Sequence, residues 1–192
     1  MSNTSATGGY LLPVPPLVGG LSLEDFIQTV IVGVSGYTNT LVRPKYQQSP
    51  PKQPDINTNW IAFSIQGNAP DANAYVYIDE HDVTNLRRQE TLTIQVGFYG
   101  PDAQNNSAVF RDGFQIQQNL ESLSIASMGF KDATEPIRGP DLINERWVDR
   151  YEMTLVLVRQ VRRTYEILPF ASAMGVIHTV VNGDPLNIDW EV

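Results

Sequence analysis

Apolar and polar residues alternate along several stretches of the chain, and this period of two predicts β-strands. In residues 60–66, Ile61, Phe63 and Ile65 alternate with small or polar side chains. In residues 91–98, apolar residues hold the even positions, and Thr and Gln hold most of the odd ones. Such strands build a sheet with one dry face and one polar face, which is the habit of antiparallel sheets.

The longest alternating stretch, residues 141–163, predicts one long strand with charged flanks. Its apolar side carries Trp147, Tyr151, Met153, Leu155 and Leu157. Its other side carries Arg150, Glu152, Thr154 and Gln160. Residues 74–79 and the apolar run that begins at Phe170 predict two further strands.

Two segments have apolar residues at helical spacing. The first helix is expected at about 22–35, with capping-box spacing at its start and Gly36 as its stop. The second is expected at about 103–123, after the break at Gly100 and Pro101, with Asp102 as candidate N-cap. Its predicted apolar stripe consists of Val109, Gly113, Ile116, Leu120 and Leu123, with Phe110 and Phe114 beside them.

The order of helices and strands predicts an α+β fold: a mostly antiparallel β-sheet or sandwich with two helices packed on one face. We expect an extended N-terminal arm at residues 1–21, a single domain at 22–180 and a C-terminal tail at 181–192. A Pro-rich loop is expected at 43–58. The arm is apolar and Pro-rich, so it is either a frayed terminus or a segment that lies on a neighbouring subunit.

Composition narrows the possible functions. The 192 residues carry a formal net charge of −8, which argues against wrapping a nucleic-acid backbone. There are no cysteines, so disulfides and thiol nucleophiles are excluded. No apolar run is long enough to span a membrane, and the N-terminus lacks the features of a signal peptide. We therefore expect a soluble protein that is made in the cytoplasm.

Candidate chemistry is sparse. His81 lies in an Asp-Glu-His-Asp run, but successive side chains on a strand end alternate in direction and cannot converge on one ion, so a polar turn is favoured. His178 lies in an apolar run. Neither Ser127 nor Ser172 sits in a nucleophile elbow, and no phosphate-binding loop is present. We expect no catalytic residues, no metal and no cofactor.

The basic residues are few but local. Arg87 and Arg88 open one predicted strand, and Arg159, Arg162 and Arg163 close another. These are either solvated strand ends or, if the ends lie side by side, a cationic patch for an acidic neighbour. The candidate interface residues are Tyr10, Leu11, Leu12, Tyr46, Arg87, Arg88, Arg159, Arg162 and Arg163.

Two segments carry a family resemblance. Residues 87–120 combine a charged strand entry, an alternating strand, a Tyr-Gly break and an amphipathic helix. Residues 144–163 contain the spacing Trp147, Arg150, Tyr151. With the Pro-rich loop and the strand at 60–66, this order resembles the neck or tail terminator proteins of tailed bacteriophages, in particular the small neck-terminator family with a Trp-x-x-Arg-Tyr strand. The resemblance covers about residues 22–168.

The resemblance implies a structural virion protein whose fold is similar to that of tail-tube subunits. Such proteins form a ring, usually hexameric, at the head-proximal end of the tail. The ring ends the tail tube and joins it to a neck or connector protein; in contractile phages the tail sheath also docks there. DNA passes through the lumen as non-specific cargo, and an acidic lumen would ease its transit. The implied location is the virion, after assembly in the host cytoplasm.

Three alternatives stay open on the residues alone. One is another neck or tail component, such as a tail-completion or connector protein or a minor tube subunit. Another is a small non-catalytic assembly or binding module with the same fold. The last is an enzyme of unknown chemistry, which would need a deep pocket with convergent polar groups.

Overall fold

The computed structural model describes residues 8–14, 23–81, 83–143, 145–167, 174–181 and 184–191. Among them, the helices are α1 (Leu23–Ser35), α2 (Ala103–Gly113) and α3 (Gln117–Ile125). The first strands are β1 (Val42–Pro44), β2 (Trp60–Pro70), β3 (Tyr75–Ile78), β4 (Thr84–Tyr99), β5 (Met128–Ala133) and β6 (Ile137–Arg138). The later strands are β7 (Asp141–Ile143), β8 (Arg146–Val148), β9 (Arg150–Tyr165), β10 (Met174–Val181) and β11 (Asp184–Glu191).

The main sheet has seven strands in the order β1-β2-β4-β9-β5, with β3 beside β4 and β6 beside β9. The short β1 runs parallel to β2, whereas β2 is antiparallel to β4, and β5 and β6 are antiparallel to β9. The predicted α+β class with a mostly antiparallel sheet is therefore confirmed. Three helices are described where two were expected.

The apolar face of the sheet forms the core with the helices. Ile61 and Phe63 of β2 lie opposite Phe98 and Val96 of β4, and all four side chains are buried. The same cluster contains three residues of β9, residues from each helix and the C-cap of α2: Met153, Leu155, Leu157, Ile27, Val30, Ile31, Phe110, Leu123 and Phe114. The alternation in the sequence thus identified the dry face of the central strands correctly.

Helix α1 ends as the sequence predicts. Gly36 has φ +73°, a conformation that glycine adopts without strain. Its N–H donates to the carbonyl of Val32 at 2.9 Å, which satisfies one of the last carbonyls of the helix.

The second predicted helix is broken in two, so the single helix at 103–123 was wrong. Ile116 has an extended backbone (φ −91°, ψ 118°) between α2 and α3. At the end of α2 the chain comes close to α1: a Cβ on Gly113 would lie 2.7 Å from Val34 Cγ1. The predicted stripe is also wrong at Val109 and Ile116, which are exposed.

The predicted strand at 141–163 is not continuous either. Strands β7 and β8 form a short antiparallel hairpin in which Leu142 lies opposite Trp147, and β9 begins only at Arg150. Glu145, in the hairpin turn, has φ +62°. Trp147 is 72% exposed, so it does not belong to the dry side that Tyr151 joins.

The chain divides into two compact units. One comprises Leu17–Tyr75 and Arg87–Arg162, and the other comprises Met1–Pro16, Val76–Leu86 and Arg163–Val192. In the second unit, β10 and β11 form an antiparallel hairpin, so a strand occupies most of the segment expected as a tail. None of the described helices has the length and apolarity needed to cross a bilayer.

Candidate assembly interface

A polar network covers the face of the sheet opposite the core. Gln95 of β4 and Glu152 of β9 point away from the core because each is one position out of step with the buried residues. Lys45, just after β1, reaches both: its Nζ lies 3.1 Å from Gln95 Oε1 and 3.0 Å from Glu152 Oε1. Gln95 Nε2 also donates to Glu152 Oε2 at 3.3 Å. Three elements of the sheet are thereby tied together.

Arg150 extends this network toward the β7–β8 hairpin. Its Nη2 lies 3.4 Å from Glu152 Oε2, and its Nη1 donates to Asp141 Oδ2 at 3.0 Å. Burial acts to lower the pKa of Arg150, but Glu152, Tyr99 and Asp141 outweigh it, so the pKa is raised. The pKa of Tyr99 is also raised. Burial raises it, and this effect is larger than the opposing effect of Arg150. Near neutral pH, Arg150 is therefore positively charged and Tyr99 is uncharged.

The Pro-rich loop folds against this face. Lys45 N donates to Phe63 O at 2.7 Å, which fixes the start of the loop on β2. Arg43 donates from Nε to Thr40 O at 2.7 Å and from Nη1 to Lys52 O at 2.8 Å. These bonds hold the loop in a defined arch.

Beneath the arch lies a cleft of about 350 Å³, which we call the loop cleft. It is lined by Arg43, Pro44, Lys45, Gln47, Pro50, Pro51, Gln53, Trp60, Ala62 and Tyr99. Trp60 and Tyr99 lie opposite each other in the register of β2 and β4. Their rings are stacked, with centroids 4.2 Å apart and planes 13° from parallel. The cleft therefore has an aromatic floor and proline walls.

The structure brings the predicted arginines onto neighbouring strands. Arg159 of β9 bonds Glu90 of β4, and Thr164 Oγ1 lies 3.2 Å from Asn85 Oδ1. Arg87, Arg88, Arg162 and Arg163 lie along the strands between these two contacts. β4 and β9 are neighbouring strands of the sheet, and contact of these arginines with another protein stays a prediction.

The individual arginines differ in their surroundings. Arg159 is held by Glu90, with Nη2 at 2.7 Å from Oε2, and Arg88 Nε lies 3.6 Å from Asp71 Oδ1. The guanidinium of Arg87 lies 5.8 Å from the ring centroid of Tyr75, and Arg162 is exposed. Arg159 and Arg88 thus have carboxylate partners within the chain.

The apolar candidate residues lie at the surface. Tyr10 is 93% exposed and Leu12 is 68% exposed, while Leu11 is partly buried. Val14 N donates to Thr164 O at 2.8 Å, so the described part of the arm is held there by its backbone. In the Pro-rich loop, Tyr46 is 83% exposed.

Sequence reasoning missed a group of exposed apolar residues: Leu142 and Trp147, which lie opposite each other in the β7–β8 hairpin, and Ile137 of β6. Trp147 had been assigned to the dry side of one long strand. The Asn-Glu pair at 144–145 could have signalled the turn that separates β7 from β8. Beside this group, Arg138 Nη2 lies 2.6 Å from Asp149 Oδ1, and this bond raises the pKa of Arg138.

A network of fixed charges, an arched loop and exposed apolar side chains are features of a surface that contacts other proteins. The sequence model of the phage neck terminator protein family matches residues 21–185 of the chain. The chain belongs to this family. No curated protein matches the sequence.

As a neck terminator, the protein is a structural component of the phage virion and assembles with other neck and tail proteins. The resemblance drawn from the Trp147, Arg150, Tyr151 spacing is therefore confirmed. The match extends beyond the expected residue 168, through β10 and to the start of β11. In this neck terminator, Arg150 belongs to the polar network and Trp147 to the exposed hairpin.

Proposed function

We propose that this neck terminator forms a hexameric ring at the head-proximal end of the phage tail. The ring ends the tail tube and joins it to the neck or connector protein. The observation that carries this proposal is the family match over residues 21–185. In phages with contractile tails, the end of the sheath is a further partner.

Exposed apolar side chains support assembly. Four large side chains are more exposed than buried: Tyr10, Leu12, Tyr46 and Trp147. Exposure of such side chains to water does not stabilise a monomer, whereas burial against another subunit would be favourable. A closed ring with head-to-tail contacts would cover patches of this kind in every copy. We assign the arm (residues 1–21) and the Pro-rich loop (residues 43–58) to contacts with neighbouring subunits, around a domain at 22–180.

The arginines divide between two roles. Arg88 and Arg159 face carboxylates of their own chain, so we assign them to the fold. Arg162 is exposed on β9 and is the first candidate for contact with an acidic neighbour, and Arg87 and Arg163 remain candidates from the sequence. Leu11 joins Tyr10, Leu12 and Tyr46 among the apolar contacts.

DNA is cargo in this proposal. A chain with a net charge of −8 repels a polyanion, which favours free passage through a lumen over binding. The ring is a component of the virion and is assembled in the host cytoplasm.

A tube-capping experiment tests the proposal. Purified protein is added to growing tail tubes of the same phage, and tube length and end density are recorded by electron microscopy. We expect a ring of density at one end of each tube and arrested growth. Tubes that keep growing with bare ends would contradict the proposal, whereas a monomer in free solution would not, since ring formation can await the tube.

A further inference from the structure

We propose that the loop cleft of one subunit receives the proline-rich arm segment of a second copy, residues Leu12–Pro16. This inference rests on the proposed function, because it names a contact between adjacent subunits of the ring. The lining of the cleft, the uncharged sequence of the arm segment and the exposure of Leu12 and Pro13 support this contact.

The first argument is the chemistry of the cleft floor. Stacked aromatic rings between prolines form the kind of groove in which polyproline II segments dock. Trp60 and Tyr99 provide such a floor, and Pro50 and Pro51 stand at its side. The indole N–H of Trp60 makes no hydrogen bond within the described part of the chain. A polyproline II segment has no internal hydrogen bonds, so its carbonyls are free to accept from such a donor.

The second argument is charge. Two cations border the cleft, but both are occupied: Arg43 donates to the carbonyls of Thr40 and Lys52, and Lys45 is bound to Gln95 and Glu152. Their hydrogen-bonding groups are therefore engaged within the chain, and the charge of Lys45 is balanced by Glu152. Residues 8–20 of this chain contain no charged residue, so the arm segment brings into the cleft no charge that would need a partner.

The third argument is the presentation of the arm. The bond from Val14 N to Thr164 O holds the arm by its backbone, while Leu12 and Pro13 remain exposed. Proline has little conformational freedom to lose on binding, so docking the Leu-Pro-Val-Pro-Pro sequence costs less entropy than docking a flexible segment. A segment of this composition, with Leu12 and Pro13 exposed, is suited to a cleft on another copy.

The absence of cysteine from the chain allows a direct test. One full-length chain carries Tyr10→Cys in the arm, and a second, differently tagged chain carries Gln53→Cys at the rim of the cleft. The two are mixed with tail tubes and treated with a short bismaleimide linker. We expect a covalent heterodimer. The matched control replaces Gln53→Cys by Ser122→Cys, which is exposed on α3 and should give a background yield.

Two variants examine the specificity of the link. Leu12→Asp changes an exposed residue and should leave the fold intact, but it places a charge against the aromatic floor. We expect it to lower the heterodimer yield about tenfold, the effect of losing one strong contact. Trp60→Phe keeps an aromatic ring and removes the indole donor, so it should lower the yield to a smaller extent.

Equal yields at Gln53→Cys and Ser122→Cys, or a yield unaffected by Leu12→Asp, would overturn the inference. A third chain carries both Tyr10→Cys and Gln53→Cys. If its linked product has only the mass of a monomer, the arm has reached the cleft of its own chain, and this result would also overturn the inference. The experiment distinguishes failure of this inference from failure of the proposed function. Heterodimers without tube capping would support the arm contact and contradict the capping ring. Capped tubes without heterodimers would support the capping ring and contradict the arm contact.

Discussion

Arg159 and Glu90 form a largely buried ion pair in which Arg159 Nη2 lies 2.7 Å from Glu90 Oε2. Glu90 is 5% exposed and continues the core-facing row of β4 beyond Leu92. Asn68 Nδ2 donates to the same oxygen at 3.0 Å. The pair ties β9 to β4 at the end of the apolar core.

Charge reversal at Arg159 should therefore lower the free energy of unfolding. Arg159→Glu leaves Glu90 buried beside a second carboxylate. Breaking a buried pair costs about 3 kcal/mol at the lower end of the usual range, which suits a partly exposed arginine. Urea denaturation followed by circular dichroism measures the change in the free energy of unfolding.

Arg162→Glu is the matched control for Arg159→Glu. Arg162 is exposed and has no carboxylate partner in the described chain, so its reversal should leave the unfolding midpoint within error. It should instead weaken capping of tail tubes. Equal loss of stability in both variants would show that the assignment of Arg159 to the fold and Arg162 to assembly is incorrect.

Leu155→Asp should prevent cooperative folding. Leu155 is fully buried in the core of β9, and an unpaired carboxylate there has no hydrogen-bonding partner. Thr154→Asp, one residue away on the opposite face, should be tolerated. Thermal unfolding of the two variants compares the faces directly. A cooperative transition in Leu155→Asp at the temperature of the parent would mean that the faces are reversed.

Gly100→Ala should destabilise the junction between β4 and α2. Gly100 has φ +108°, and a Cβ there would lie 2.5 Å from Asn59 Oδ1 and 2.7 Å from Thr58 O. Strain of this kind costs about 1–3 kcal/mol before any clash is added. Gly33→Ala, in open space within α1, is the control and should stabilise by about 0.5–1 kcal/mol. Denaturation midpoints that move in the same direction would refute this account of Gly100.

The turn after β3 should weaken in acid. Hydrogen bonds from the backbone N–H of Val83, then from His81 and Asn85, lower the pKa of Asp79 below its ordinary value of 3.8, although desolvation opposes them. Because the folded pKa is the lower one, this contribution is fully present above the ordinary value and is lost as the pH falls through the folded pKa.

Carboxyl NMR of Asp79 as a function of pH tests this expectation. The carboxyl should titrate below 3.8, and Asp79→Asn should remove the acid-dependent loss of amide protection at Val83. Titration at or above the ordinary value would argue that the three hydrogen bonds do not stabilise the charged carboxylate.

Much of the sheet could be read from the sequence because burial of one face imposes a period of two on each strand. The rows Ile61–Phe63 and Met153–Leu157 were placed on the dry face for this reason. The stop at Gly36 was equally local, since a residue with positive φ at a helix end is usually glycine.

Tertiary contacts explain what the sequence could not reveal. Gly113, at the end of α2, lies close to Val34 of α1, which is far away in the chain. Asp102 does occupy the N-cap of α2, yet its carboxylate makes no cap bond and instead accepts from Asn59 Nδ2 at 2.8 Å. Neither contact could be predicted without knowing which segments of the chain lie next to each other in the fold.

The candidate site shows the same division. The arginines were located as two groups, but the pairing of Arg159 with a carboxylate 69 residues earlier depends on the alignment of β4 with β9. The loop cleft could not be foreseen because Trp60 and Tyr99 meet only through the register of β2 and β4. Trp147 was misplaced because the turn at Glu145 divides an otherwise alternating run.

The most direct test of the central claim is the position of this protein in the virion. A tagged chain is incorporated into phage particles, and the tag is located by electron microscopy. The account predicts label at the neck, between the head and the first ring of the tail tube, in every complete particle. Label along the tube or at the distal tip, or particles that lack the protein altogether, would contradict it.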